Sequence, residues 1–200
     1  MRLLYIKYLV ILFFILPIYT YAQTVKINNC LSANWSNNGT KKIYKYTPTI
    51  GVEYLERTCF LLSSSIGISH KNQEYSILNG ENTLETNIKY LEVSTTGRFK
   101  FKTNNITFFI GIGPAIDWKI KSTYKTHGEI KKNSSDHGEF IANKSVINFL
   151  TEAGVYKNFN NFILEFSTAY KSNITNIIPE SRKGFISHSL SLNLSFGYKL

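Results

Sequence analysis

Four histidines and two cysteines are the residues of this 200-residue chain best suited to catalysis or metal binding. A hydrolase or acyl transferase needs a hydroxyl or carboxylate within hydrogen-bond reach of a histidine. His70 follows Ser69, and His188 lies between Ser187 and Ser189. In an extended chain such neighbours project to opposite faces, so adjacency poises neither pair. Asp136 and His137, with His127 and Glu139, fall in a polar stretch where a weak metal or acid–base site is conceivable. Their spacing matches no ligand motif, and a solvated loop is the simpler reading. The expectation is a protein that is no enzyme and holds no metal or cofactor. Cys30 and Cys59 allow a single disulfide. Their positions put them on the same face of the first and third strands. With about 4.8 Å per strand spacing, that separation exceeds the roughly 7 Å between Cα atoms that a bridge spans. Free thiols are expected.

The charged residues carry a second pattern. Glu53, Glu92, Arg98, Lys100, Asp117, Glu152 and Glu165 stand in the middle of apolar segments, each at a position that alternates with large hydrophobics. Buried charges require partners, so an internal salt-bridge network among these seven is expected. The stretch 119–144 is different. Lys121, Lys125, Lys131 and Lys132 form a basic patch there, flanked by Lys119 and Lys144 and opposed only by Glu129, Asp136 and Glu139. In a loop, such a patch suits phosphates or acidic polymers, though charged loop tips are also common without any partner.

The elements that must position these residues are strands. In Ser189 to Leu200 the even positions are Leu190, Leu192, Leu194, Phe196, Tyr198 and Leu200, and the odd ones are Ser, Asn, Gly or Lys. A period of two puts one apolar and one polar face on an extended chain. The same alternation predicts eight strands, at about 24–35, 43–55, 58–70, 84–101, 105–120, 145–157, 161–171 and 185–200. Short turns at Glu56-Arg57, 102–105 and 158–161 alternate with longer polar loops at 36–42, 71–83, 121–144 and 172–184. Short–long alternation is the signature of an up-and-down meander. Ahead of it, Arg2 and Lys7, the apolar run Tyr8–Ile18 and the small-residue site at Ala22 read as a cleaved signal peptide over 1–22, leaving 23–200 as the barrel. The composition agrees. Only 18% of residues are charged, against roughly 25% in soluble domains, and the net charge is +10. No later apolar run is long enough for a spanning helix.

The strands could bury their apolar faces inward, as in a soluble lipocalin-like barrel or sandwich. Against this, the opposite faces mix Ser, Thr, Gly and Asn with charges of both signs, which suits a narrow lumen. Tyr44, Tyr46, Trp118, Tyr170 and Phe185 gather at the long-loop end, and Tyr54, Phe101, Phe162 and Tyr198 at the other, as two interfacial girdles would. A sheet can cross hydrocarbon only by closing on itself. The fold class read from the sequence is therefore all-β, an eight-stranded antiparallel up-and-down transmembrane barrel.

The signal sequence ending Tyr21-Ala22-Gln23, the segment Ile88–Val93, the strand Phe108–Pro114 and the ending Leu190–Leu200 carry a family resemblance. The chain resembles the eight-stranded outer-membrane β-barrel family of Gram-negative bacteria, similar to OmpX-like and OmpA-type barrels. It is most like the porin-family variety common in Bacteroidota. Members commonly end in Phe, whereas this chain ends in Leu200, with Phe196 and Tyr198 just before it. The resemblance implies an outer-membrane location and recognition by the outer-membrane assembly machinery. It also implies contact with membrane lipid and lipopolysaccharide. Nucleic acid is not an expected partner, and a monomer is expected. Function is then a choice among three classes: an envelope-structural or surface-binding role through the extracellular loops, which is preferred; a narrow porin-type path; and a lipid-modifying enzyme.

Overall fold

A computed structural model describes residues 23–36, 42–77, 82–128, 137–138, 142–177 and 186–200. Residues 1–22, expected from the sequence to be a signal peptide, and Phe185 lie outside the described residues. The strands are β1 (Thr24–Ser36), β2 (Ile43–Tyr46), β3 (Thr49–Tyr54), β4 (Phe60–Ile77), β5 (Asn82–Thr103), β6 (Ile106–Gly128), β7 (His137–Gly138), β8 (Ser145–Phe159), β9 (Phe162–Asn173) and β10 (Ser187–Lys199). All pairings are antiparallel. The order runs β10-β9-β8-β6-β5-β4-β3-β1, and β10 returns to pair with β1. With β2 and β3 forming one broken stave and β7 only a two-residue appendage to β6, this is a closed eight-staved barrel. Closure leaves no free edge around the waist, as a membrane requires.

The apolar faces point outward. Leu192, Leu194 and Ile110 are 52%, 43% and 55% exposed, and the residues alternating with them are largely covered. A water-soluble barrel would show the reverse. Phe101, Phe162 and Tyr198 lie exposed at the short-turn end, and Tyr44, Tyr46 and Tyr170 at the other. Tyr54 departs from the girdle and is buried. Its hydroxyl lies 3.0 Å from Ser64 Oγ, which lies 2.8 Å from Thr95 Oγ1. Ser64 and Thr95 have outward register, so the tyrosine supplies the partner that hydrocarbon would deny them.

Several boundaries differ from the sequence reading, each for a local reason. The stave expected over 43–55 is broken at Thr47-Pro48, where proline lacks an N–H for the ladder and restricts its predecessor. The turns at 102–105 and 158–161 contract to Asn104-Asn105 and Asn160-Asn161. Asn104 and Asn160 take left-handed φ of 47° and 52°, a region that asparagine tolerates better than most residues. The loop expected over 71–83 is largely strand, and strand also takes up the first eight residues of the loop expected over 121–144. β4 and β5 pair out to Ile77↔Asn82, and β6 continues to Gly128. Beyond the apolar band a strand needs no greasy face, so polar composition there is no guide to where pairing stops. Cys59 precedes β4 in an exposed bend rather than facing the interior, while Cys30 is buried; both are free.

Candidate functional site

Alternation fixes which side chains enter the lumen, and register fixes which of them meet. Glu53 on β3, Arg98 on β5, Glu152 on β8 and Glu165 on β9 converge with Lys26 of β1. The Arg98 guanidinium donates from Nε and Nη2 to the two Glu152 oxygens at 2.8 Å each. Its Nη1 donates to Glu53 at 2.9 Å and to Glu165 at 3.1 Å. Lys26 Nζ bridges the same two carboxylates, and Thr96 donates to Glu152. Such fork-shaped pairing is what guanidinium does best. Room for it comes from Gly111, where an added Cβ would lie 2.8 Å from Glu152 Oε1 and 3.1 Å from Arg98 Cγ.

A second layer lies toward the loop end. Lys71 Nζ lies 3.1 Å from Asp117 Oδ2 and donates to Asn148 Oδ1 at 2.6 Å, and Asn148 donates back to Asp117 at 2.9 Å. Lys171 pairs with Glu92 and stands 3.9 Å from Asp117. Toward the short turns, Lys100 donates to Glu56 at 2.7 Å. The seven charges singled out in the sequence therefore fall into three groups rather than one network. Their partners Lys26, Lys71, Lys171 and Glu56 were not among the seven. Lys26 lay in the least regular strand, and Lys71 in a segment that reads as loop. Lys171 had the right parity, which was the available signal.

Apolar plugs close both ends. Phe109, Tyr156 and Ile163 cluster below the Arg98 layer, with the guanidinium carbon 4.3 Å from the Phe109 ring centre. Above the Lys71 layer, Ile88, Tyr90 and Val146 are covered by Ala142 and Ile177. Those two come from the segments flanking β8 and β9, which Asn143 ties together by donating its N–H to the Ile177 carbonyl at 2.7 Å. Between the charged layers remains a chamber of about 100 Å³, its wall rich in Ser, Thr and Asn and including Cys30.

The remaining sequence candidates lie elsewhere. Lys121 and Lys125 stand exposed on β6, opposite Lys89 and Glu85 of β5. Lys131 and Lys132 lie outside the described residues. Ser69 enters the lumen, 3.5 Å from Asp117, while His70 takes the outer side. His188 is on the outer wall with Tyr170 Oη 2.7 Å from its Nδ1, stacked near Trp35. His127 and His137 have backbone positions in β6 and β7, and Asp136 and Glu139 lie outside the described residues.

Neither a known sequence family nor a curated protein matches the chain. Solved structures do. The Neisserial surface protein A shares 12% identity over 90% of this chain and 97% of its own, with a TM-score of 0.61. The outer membrane protein OprG of Pseudomonas aeruginosa shares 12% identity over 90% of this chain and 96% of its own, with a TM-score of 0.50. The chain has the fold of the eight-stranded outer-membrane barrels. At this identity the likeness concerns the fold alone, and the role must be argued from the residues.

Proposed function

We propose that this is an outer-membrane barrel, closed to bulk flow, that acts at the cell surface by engaging phosphate-bearing polyanions of the outer leaflet, lipopolysaccharide above all. One observation carries the reading. Across β4, β5 and β6 the last paired apolar row on the outside is Ile68–Leu91–Trp118, with exposed Ile120 unpaired at the register shift just beyond it, and the next paired outward row is His70–Lys89–Lys121. Lys89 and Lys121 are directly opposed and both exposed. Like charges in that position repel unless an anion lies between them. A cationic row one rung above hydrocarbon sits where lipid phosphates would be. In this reading the protein is exported by its N-terminal segment, is handled by the assembly machinery, and does no chemistry of its own.

The test is unfolding of the refolded protein in vesicles with and without lipopolysaccharide. Lipopolysaccharide should raise the denaturation midpoint of the native chain, and the Lys89→Gln/Lys121→Gln double variant should lose most of that gain. An equal gain in both proteins would defeat the reading. The polar-walled chamber favours a second reading, a narrow ion path. The Arg98 layer and the two apolar plugs stand against it, because side chains fill an eight-strand lumen. Planar-bilayer recordings should show no steady conductance, and open-channel events in the native protein would restore the pore.

A further inference from the structure

The β3–β4 ladder ends at Thr49↔Gly67, and among the described residues β2 pairs only with β1, from Leu31↔Tyr46 to Asn34↔Ile43. Above Gly67, the β4 backbone is paired with β5 alone among the described residues. The barrel wall therefore has a seam between β2 and upper β4. Its cause is local. Pro48 has no N–H to offer β4, and Thr47 turns its own N–H to the Cys30 carbonyl of β1 at 2.8 Å. Gly67 marks the seam's lower corner, where an added Cβ would fall 2.5 Å from the Pro48 oxygen.

The chamber reaches this seam. Ile68 and His70 share the outward register of lipid-facing Ile66, yet they line the same cavity as the interior residues Cys30, Thr47 and Asn34. Among the lining residues, Ile68 and His70 are the ones of outward register, which places the chamber's approach to the wall at the seam. Two polar atoms along it have no hydrogen-bond partner among the described residues: Asn34 Nδ2, on a side chain only 3% exposed, and His70 Nδ1 at the rim. Buried polar atoms without partners are uncommon, and each calls for a physical explanation. The neighbouring wall is preorganised, with Asn28 donating to Thr49 at 2.8 Å and Ser32 paired with Thr47 at 2.8 Å. Hydroxyls in such pairs retain lone pairs for a third party.

We propose that the chamber is entered sideways, through the β2–β4 seam, by a small uncharged polyhydroxylated molecule of about glycerol size. Charge is not what the chamber lacks, because Arg98 is saturated by carboxylates and Lys171 by Glu92. A volume near 100 Å³ corresponds to about three waters at bulk density, so the guest has only a few heavy atoms. Tyr44 and Tyr46, both exposed on β2, place the mouth at the interfacial level of the wall.

Cys30 lines the chamber and is a native reporter, once exposed Cys59 is replaced by serine. The C59S protein is reconstituted in vesicles, its folding checked by heat-shifted gel mobility, and Cys30 is titrated with methyl methanethiosulfonate. The thiol should react in the folded barrel. Adding His70→Trp at the mouth, or Ile68→Trp if that variant fails to fold, should slow the reaction by about tenfold, since thiol reactivity follows access. Adding Ala142→Trp in the loop-end plug should leave the rate within about twofold. Molar glycerol should slow modification of C59S, and a trisaccharide at equal osmolality should not. A Cys30 that reacts only after unfolding would overturn the lateral mouth. So would a rate lowered by Ala142→Trp but not by the seam variants. Equal effects of glycerol and trisaccharide would overturn the guest assignment.

Discussion

Arg98 holds the lumen together. It and Lys26 face three carboxylates, and all five side chains are buried. Removing one member of a buried ion cluster leaves the others uncompensated, at a cost of about 3–5 kcal/mol. Arg98→Ala should therefore lower the urea midpoint of the detergent-folded barrel sharply. Lys100→Ala should cost under about 1 kcal/mol, because its partner Glu56 is about a third exposed and solvent screens the pair. A similar loss in both variants would show that the Arg98 layer is not a special support. The face that Arg98, Glu53 and Glu165 take follows from sequence parity alone. That Arg98 meets Glu152 through two bonds does not, because it depends on strands whose residues are 54 apart in the chain.

Among the elements, the short turns are fixed by backbone sterics. Two of them use asparagine at left-handed φ, whereas the turn after β3 puts Leu55 at φ 53°. A leucine there bears a penalty of roughly 1–2 kcal/mol that asparagine or glycine largely avoids. Leu55→Asn should raise the unfolding midpoint, and a lowered midpoint would mean that the exposed Leu55 side chain matters more than its backbone. The long-loop side was harder to read. The alternation of β6 is plain from Ile106 to Trp118, but its polar continuation to Gly128 has no apolar face to announce it. A shift in the β5–β6 register between Lys89 and Tyr90 also changes which residues face out above it. The Lys89–Lys121 juxtaposition arises from that shift, so a strict period of two could not have placed it.

At the scale of the molecule, lipid contact is the governing condition. Leu192 lies mid-strand on the outer face and is 52% exposed. Arginine on the lipid face near mid-membrane costs about 2–4 kcal/mol in barrels of this kind. Leu192→Arg should accordingly weaken folding into vesicles by that amount. A negligible effect on folding would argue for a body surrounded by water. Fractionation offers a separate check: the protein should stay with the membranes and migrate differently before and after heating. Release into the aqueous fraction would remove the membrane assignment.

The sequence by itself determined the strand character, the count of eight staves and the outward direction of the apolar face. These depend on a local period of two and on the solvent each face prefers, and both are written residue by residue. Tertiary structure decided the rest: the division of the charges into layers, the plugs made from distant segments, the extension of β4–β6 and the seam beside Pro48. Those features depend on which strand lies next to which and in what register. Barrel closure fixes that by joining residues from opposite ends of the chain, such as Thr24 and Lys199.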